Sequence, residues 1–134
     1  MKQCVFCRII QGEIPCMKVY EDPHSLVIMD IAGDVDGHML AIPKKHVETV
    51  MECDEETMHR VMDAVSHVSR RCVDTLGYDG VNVLHASGAA AGQSVPHLHF
   101  HLIPRKNEDG ICAWPELPGA KEEISAVYEK LSNI

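Results

Sequence analysis

Residues 97–104, HLHFHLIP, alternate histidine with apolar side chains, and few folds satisfy both halves of that alternation. On an extended strand successive side chains point to opposite faces, so His97, His99 and His101 share one face while Leu98, Phe100 and Leu102 share the other. The apolar face requires a core to cover it. The histidine face is then left to solvent or to a ligand, its imidazoles roughly 6.6 to 7 Å apart. Pro104 closes the run, and the glycine- and alanine-rich SGAAAGQ precedes it.

The remaining elements follow from changes in period. MKVYED and SLVIMDI are β-prone runs joined by PHS, and GHMLAIP is a third, opened by Gly37 and closed by Pro43; together they predict an antiparallel meander. From Asp54, Met58, Val61, Met62, Val65, Val68, Cys72 and Leu76 recur at three- and four-residue steps, which predicts one long amphipathic helix capped by Asp54 and ended at Gly77. GVNVLHA and HLHFHLIP are two further strands. PGAKEEISAVYEKLSNI predicts a C-terminal helix with Ile124, Val127, Tyr128 and Leu131 on one side. The order gives an α+β fold: a mostly antiparallel five-stranded sheet with helices covering one face. A length of 134 residues with 46% hydrophobic content suits one globular domain.

Charge and composition narrow the function. A net charge of -8 disfavours nucleic acid and anionic membrane as partners, because both would repel the chain. No run of eighteen apolar residues occurs, and MKQCVFC lacks the features of a secretory signal, so a cytoplasmic location is expected. Six cysteines are present, but only Cys4 and Cys7 form a close pair, a C-x-x-C that suits two thiolates on one zinc and that redox motifs share. Three histidines on one face suit either metal ligation or nucleophilic and acid–base work at neutral pH. The loop Gly92-Gln93-Ser94 can turn backbone N–H groups and a hydroxyl toward an anion.

HLHFHLI fits the His-φ-His-φ-His-φ-φ signature at every position, and by it the sequence resembles the histidine-triad (HIT) family. CVFCRIIQGEIPCMKVYEDPHSLVIMDI is similar to that family's opening strands, GHMLAIPKKHVETV to its central strand and GQSVPHLHFHLIPR to its catalytic strand. The likeness runs to Arg105 and is nearest to the small Hint-like branch with a C-x-x-C start. It implies a single HIT domain over 1–134 with a variable tail, 106–134, and a sheet continued across a homodimer. It also implies nucleotidyl transfer to His99 followed by hydrolysis. His101 would hold a phosphate oxygen, Ser94 and Gln93 would line the phosphate and leaving-group side, and Asp30 would accept from ribose hydroxyls. Phe6, Met29 and Ile31 would form the apolar base slot. Structural zinc would sit on Cys4, Cys7, His46 and His97.

One departure stands out. Hint-like relatives carry an asparagine seven residues before the glutamine matched by Gln93, and here that position is Ala86, which has no polar side chain. The expected activity is hydrolysis of nucleoside 5′-phosphoramidates or related adenylates. A dinucleoside-polyphosphate hydrolase, or a zinc-stabilised purine-nucleotide binding module with vestigial turnover, are the alternatives. The partner the resemblance implies is a purine mononucleotide or an adenylated small molecule. His24, His38, His59, His67 and His85 show no comparable pattern, and Lys44 and Lys45 are expected either to add positive potential near the site or to occupy a solvated turn.

Overall fold

In the computed structural model, which describes residues 3–133, five antiparallel strands form one sheet in the order β1-β2-β3-β5-β4. The strands are β1 Lys18–Glu21, β2 Ser25–Met29, β3 Met39–Pro43, β4 Gly80–Leu84 and β5 Phe100–Arg105. Three helices accompany them: α1 Val5–Ile10, α2 Glu55–Asp74 and α3 Ile124–Ser132. Met1, Lys2 and Ile134, the last residue of the expected C-terminal helix, lie outside the described residues.

The α+β class and the strand set agree with the sequence reading, but helices cover both faces of the sheet. Val27, Met39, Ala41, Phe100 and Leu102 pack against Val61, Ala64, Val65, Val68 and Cys72 of α2. Leu26, Ile28, Leu40 and Ile42, on the opposite face, pack against Phe6, Cys7 and Ile9 of α1. The signal lay in β2 and β3, which are continuous apolar runs, as strands buried from both sides require. CVFCRII, to which the sequence reading assigned no element of its own, forms α1. Cys4 caps it, its sulfur accepting from Cys7 N at 3.4 Å.

Helix α2 begins as its sequence dictates. Asp54 accepts from Thr57 N at 3.0 Å, which satisfies an end N–H and contributes about 1 kcal/mol. Its apolar stripe stops one turn before expected: Leu76 lies past the helix and is 61% exposed, because the chain leaves α2 after Asp74. Helix α3 forms but buries nothing, and Ile124, Tyr128 and Leu131 are all exposed. Among the described residues no helix is long and apolar enough to cross a membrane.

The register positions the site. Leu40 pairs with His101 across β3 and β5, so His101 faces the α1 side of the sheet. Two residues earlier in the chain, His38 reaches the same side. Gly37 permits this approach: its φ is +83°, and a Cβ there would meet Pro104 Cγ at 3.1 Å.

Candidate functional site

The alternation at residues 97–102 holds, although β5 begins only at Phe100 and His99 precedes it. Leu98 and Leu102 are fully buried, and Phe100 joins them in the α2-side core. The histidine face is less open than expected. His97 is fully buried and His99 is 6% exposed, because Phe6 from α1 packs edge-on against both rings, at 5.7 and 5.2 Å between centroids.

Each histidine has a tautomer set by its neighbours. His99 Nδ1 donates to the carbonyl of His97 at 2.7 Å, which leaves Nε2 as the lone-pair nitrogen of a neutral ring. Burial pushes its pKa below the ordinary value, with the nearby His85 adding to the effect, while the bond to the His97 carbonyl and the Asp30 charge oppose it. His101 is also held low, first by burial and then by His99 and His38. His97 Nε2 donates to the carbonyl of Pro43 at 2.8 Å, so its Nδ1 lone pair faces Cys4 Sγ at 3.3 Å and Cys7 Sγ at 3.6 Å. Burial lowers its pKa to about 4.

Cys4, Cys7, His46 and His97 therefore converge, their donor atoms all within 4.8 Å of one another. Cys7 Sγ lies 3.2 Å from His46 Nδ1. Sulfur and nitrogen on one tetrahedral zinc would be about 3.5 Å apart, so the set fits that ion with little movement. Burial and the neighbouring Cys4 push the Cys7 thiol up to about 11, so a thiolate here needs a cation beside it. The Pro43 carbonyl supplies the outer bond that orients a ligating histidine.

On the other side of His99 lies a cleft of about 320 Å³. Phe6, Met29, Asp30, Ile31, Ser94, His99 and His101 line it, so seven residues singled out in the sequence meet there. Asp30 performs two tasks: Oδ1 accepts from Ala32 N at 2.7 Å, closing the turn after β2, while Oδ2 lies 3.6 Å from His38 Nε2. Gln93 does not join the lining residues. Its amide accepts from Gly88 N at 2.7 Å and donates to the carbonyls of Glu48 and Val95, bracing the loop before the triad. Lys44 and Lys45 are engaged by Glu21 and Asp54, at 2.7 and 2.9 Å, which resolves them as a paired turn.

Two histidines escaped the sequence reading. His38 is 7% exposed, donates from Nδ1 to Asp34 at 2.9 Å, and sits 2.8 Å from His101 Nδ1 through Nε2. His85 donates from Nδ1 to the His99 carbonyl at 2.9 Å, and its Nε2 takes the Ser87 hydroxyl. Ser87 in turn accepts from Val50 N at 2.9 Å. The residues on either side of Ala86 thus brace the triad backbone, while Ala86 itself offers no donor. The signal for His38 was strand register rather than spacing along the chain; His85 had no signal.

His99 and His101 line an apolar cleft with a Cys₂His₂ cluster behind them, and the chain belongs to the HIT family: the HIT domain matches residues 11–108. Among its relatives is an adenosine 5′-monophosphoramidase of Schizosaccharomyces pombe, 39% identical over 132 residues that cover 97% of this chain and 96% of the relative. A HIT family protein from Bacillus subtilis superposes with a TM-score of 0.83 at 38% identity, covering 98% of this chain and 96% of that one. A zinc-bound histidine-triad protein from Mycobacterium smegmatis does so with a TM-score of 0.79 at 34% identity, covering 88% and 85%.

Proposed function

We propose that this chain hydrolyses nucleoside 5′-phosphoramidates or related adenylates at the α-phosphate. The observation that carries the reading is His99, a buried neutral imidazole whose Nδ1–H is committed to the carbonyl of His97 and whose Nε2 is left free for a substrate. In the first step Nε2 attacks the α-phosphorus in line; the bond from phosphorus to the leaving amine breaks and the amine leaves with a proton. Water then attacks the same phosphorus. The bond to His99 breaks, and a nucleoside monophosphate is released.

The surrounding residues take roles consistent with their positions. His101 faces a nonbridging oxygen, where charge grows in the transition state. Ser94 at the cleft edge donates toward the departing group, and Asp30 Oδ2 accepts from a ribose hydroxyl. Phe6, Met29 and Ile31 offer the base an apolar slot. Gln93 acts through the loop it braces rather than through the substrate. Cys4, Cys7, His46 and His97 would hold zinc, which when bound supplies a structural cross-link and no reacting group.

The proposal includes a single domain over residues 1–134, a cytoplasmic location and a homodimer. Strand β4 is an edge of the sheet with Val83 exposed, which supports continuation of the sheet through a second copy. A second reading, a nucleotide-binding module with little turnover, is favoured by one observation: Ala86 places no donor where relatives of the Hint-like branch place an asparagine.

Rates on adenosine 5′-phosphoramidate and on diadenosine triphosphate, for wild type and His99→Ala, separate these readings when set beside AMP affinity by calorimetry. The expected result is phosphoramidate turnover that falls roughly a thousandfold or more in His99→Ala, with AMP binding retained. Binding without turnover selects the module, and faster cleavage of diadenosine triphosphate selects the polyphosphate hydrolase.

A further inference from the structure

We propose that Asp30, His38 and His101 form a second metal site, distinct from the sulfur cluster and suited to a divalent ion such as zinc or cobalt(II). One donor atom from each of the three lies within 4.8 Å of the others. All three are held in place by the fold. His101 is on β5, His38 leads into β3, and Asp30 follows β2, so three adjacent strands aim their donors at one point.

The donor chemistry fits an ion of this class. Two imidazoles and one carboxylate make a three-ligand set with an open fourth position, the composition of a catalytic rather than a structural centre. Asp34 accepts from His38 Nδ1 at 2.9 and 3.1 Å, which fixes the tautomer and presents the Nε2 lone pair to the site. A carboxylate behind a histidine is the outer-sphere partner that ligating histidines usually have. Asp30 already uses Oδ1 on Ala32 N, so Oδ2 is the oxygen available.

The two pairs that His38 makes require only a small adjustment, and Asp30 and His101 lie within 4.8 Å of each other. Donors on a tetrahedral zinc stand about 3.4 Å apart, close to the 3.6 Å between Asp30 Oδ2 and His38 Nε2. His38 Nε2 and His101 Nδ1 are 2.8 Å apart because they share a proton. For an ion to bind, that proton moves to His101 Nε2, the ring stays neutral, and the two nitrogens separate by about half an ångström to bond metal at about 2.0 Å. No oxidant or other reactant is needed. Since Asp30 and His101 are the groups assigned above to ribose and phosphate, ion and nucleotide compete; this clause alone rests on the proposed function.

Equilibrium dialysis against zinc tests the site. Wild type is expected to retain one more equivalent than His38→Ala. Asp34→Asn, a change at a half-exposed side chain, is expected to keep that equivalent but bind it roughly ten- to a hundredfold more weakly. Cobalt(II) supplies a second readout: ions at this site give d–d bands without thiolate charge transfer, which marks the sulfur cluster. Equal zinc content in wild type and His38→Ala, unchanged affinity in Asp34→Asn, or cobalt found only with the thiolate signature overturns the site. A His38-dependent ion that saturating AMP leaves undisturbed overturns the competition and the nucleotide reading while the site stands.

Discussion

The two donor clusters on either side of His99 share a histidine-rich composition and differ in almost everything else. The Cys4–Cys7–His46–His97 cluster is largely buried, joins the first helix to the turn after β3 and to the triad, and presents two sulfurs, of which that of Cys7 is disfavoured as a thiolate by burial. The Asp30–His38–His101 cluster opens onto the cleft and carries one carboxylate, which, like that of Asp34 behind His38, is partly solvated. Burial and ligand softness sort the two. The first can serve as a permanent fastening, whereas the second can exchange protons, nucleotides or ions without the fold coming apart.

Substitutions that act on one cluster and spare the other test this contrast. The largest effect is expected for Cys7→Ser, which would release the metal that the cluster fits. Loss of a ligand held at a thousand times its Kd removes about 4 kcal/mol, on the order of 10 °C in Tm for a chain of this size, by thermal melting with and without chelator. His38→Ala should leave Tm far less changed; equal losses would erase the distinction. Phe6→Ala comes next, at about 3 kcal/mol by denaturant unfolding, together with weaker AMP binding, because the ring packs against His97 and His99 and also lines the cleft.

Smaller changes sharpen the picture. Ala86→Asn is expected to raise the phosphoramidate rate, by up to about a hundredfold if the amide donates in the transition state, equivalent to some 2.7 kcal/mol; an unchanged or lower rate counts against that role. Gln93→Ala should cost about 1–3 kcal/mol through the loop, with kcat falling more than AMP affinity. Tyr128→Ser on α3 should change stability by less than about 0.5 kcal/mol in the monomer, since that side chain is exposed.

What the sequence disclosed depended on the range over which the signal acts. β-prone runs bounded by turn residues located β1–β5, a period-3.6 stripe located α2, and Asp54 marked the cap, because these are properties of neighbouring residues. The zinc set and the cleft residues came from the family resemblance, and the geometry brings them together. His38 and His85 were missed because their roles depend on register and on backbone carbonyls distant along the chain. Gln93 was placed on the phosphate side by the family resemblance, and in the structure three loop groups occupy its amide. Helix α1 was hidden by its brevity: six residues give too little period to read.

That brevity matters in another way. A helix of a turn and a half has no independent stability in water, so α1 stands only while it is docked. It nevertheless supplies Phe6, one wall of the cleft. The recognition surface is therefore conditional on the segment with the least cohesion of its own. A cut after Arg8 or a lifting of the first dozen residues would empty the slot without unfolding the sheet, and occupancy of the cleft should in turn protect that bond from trypsin.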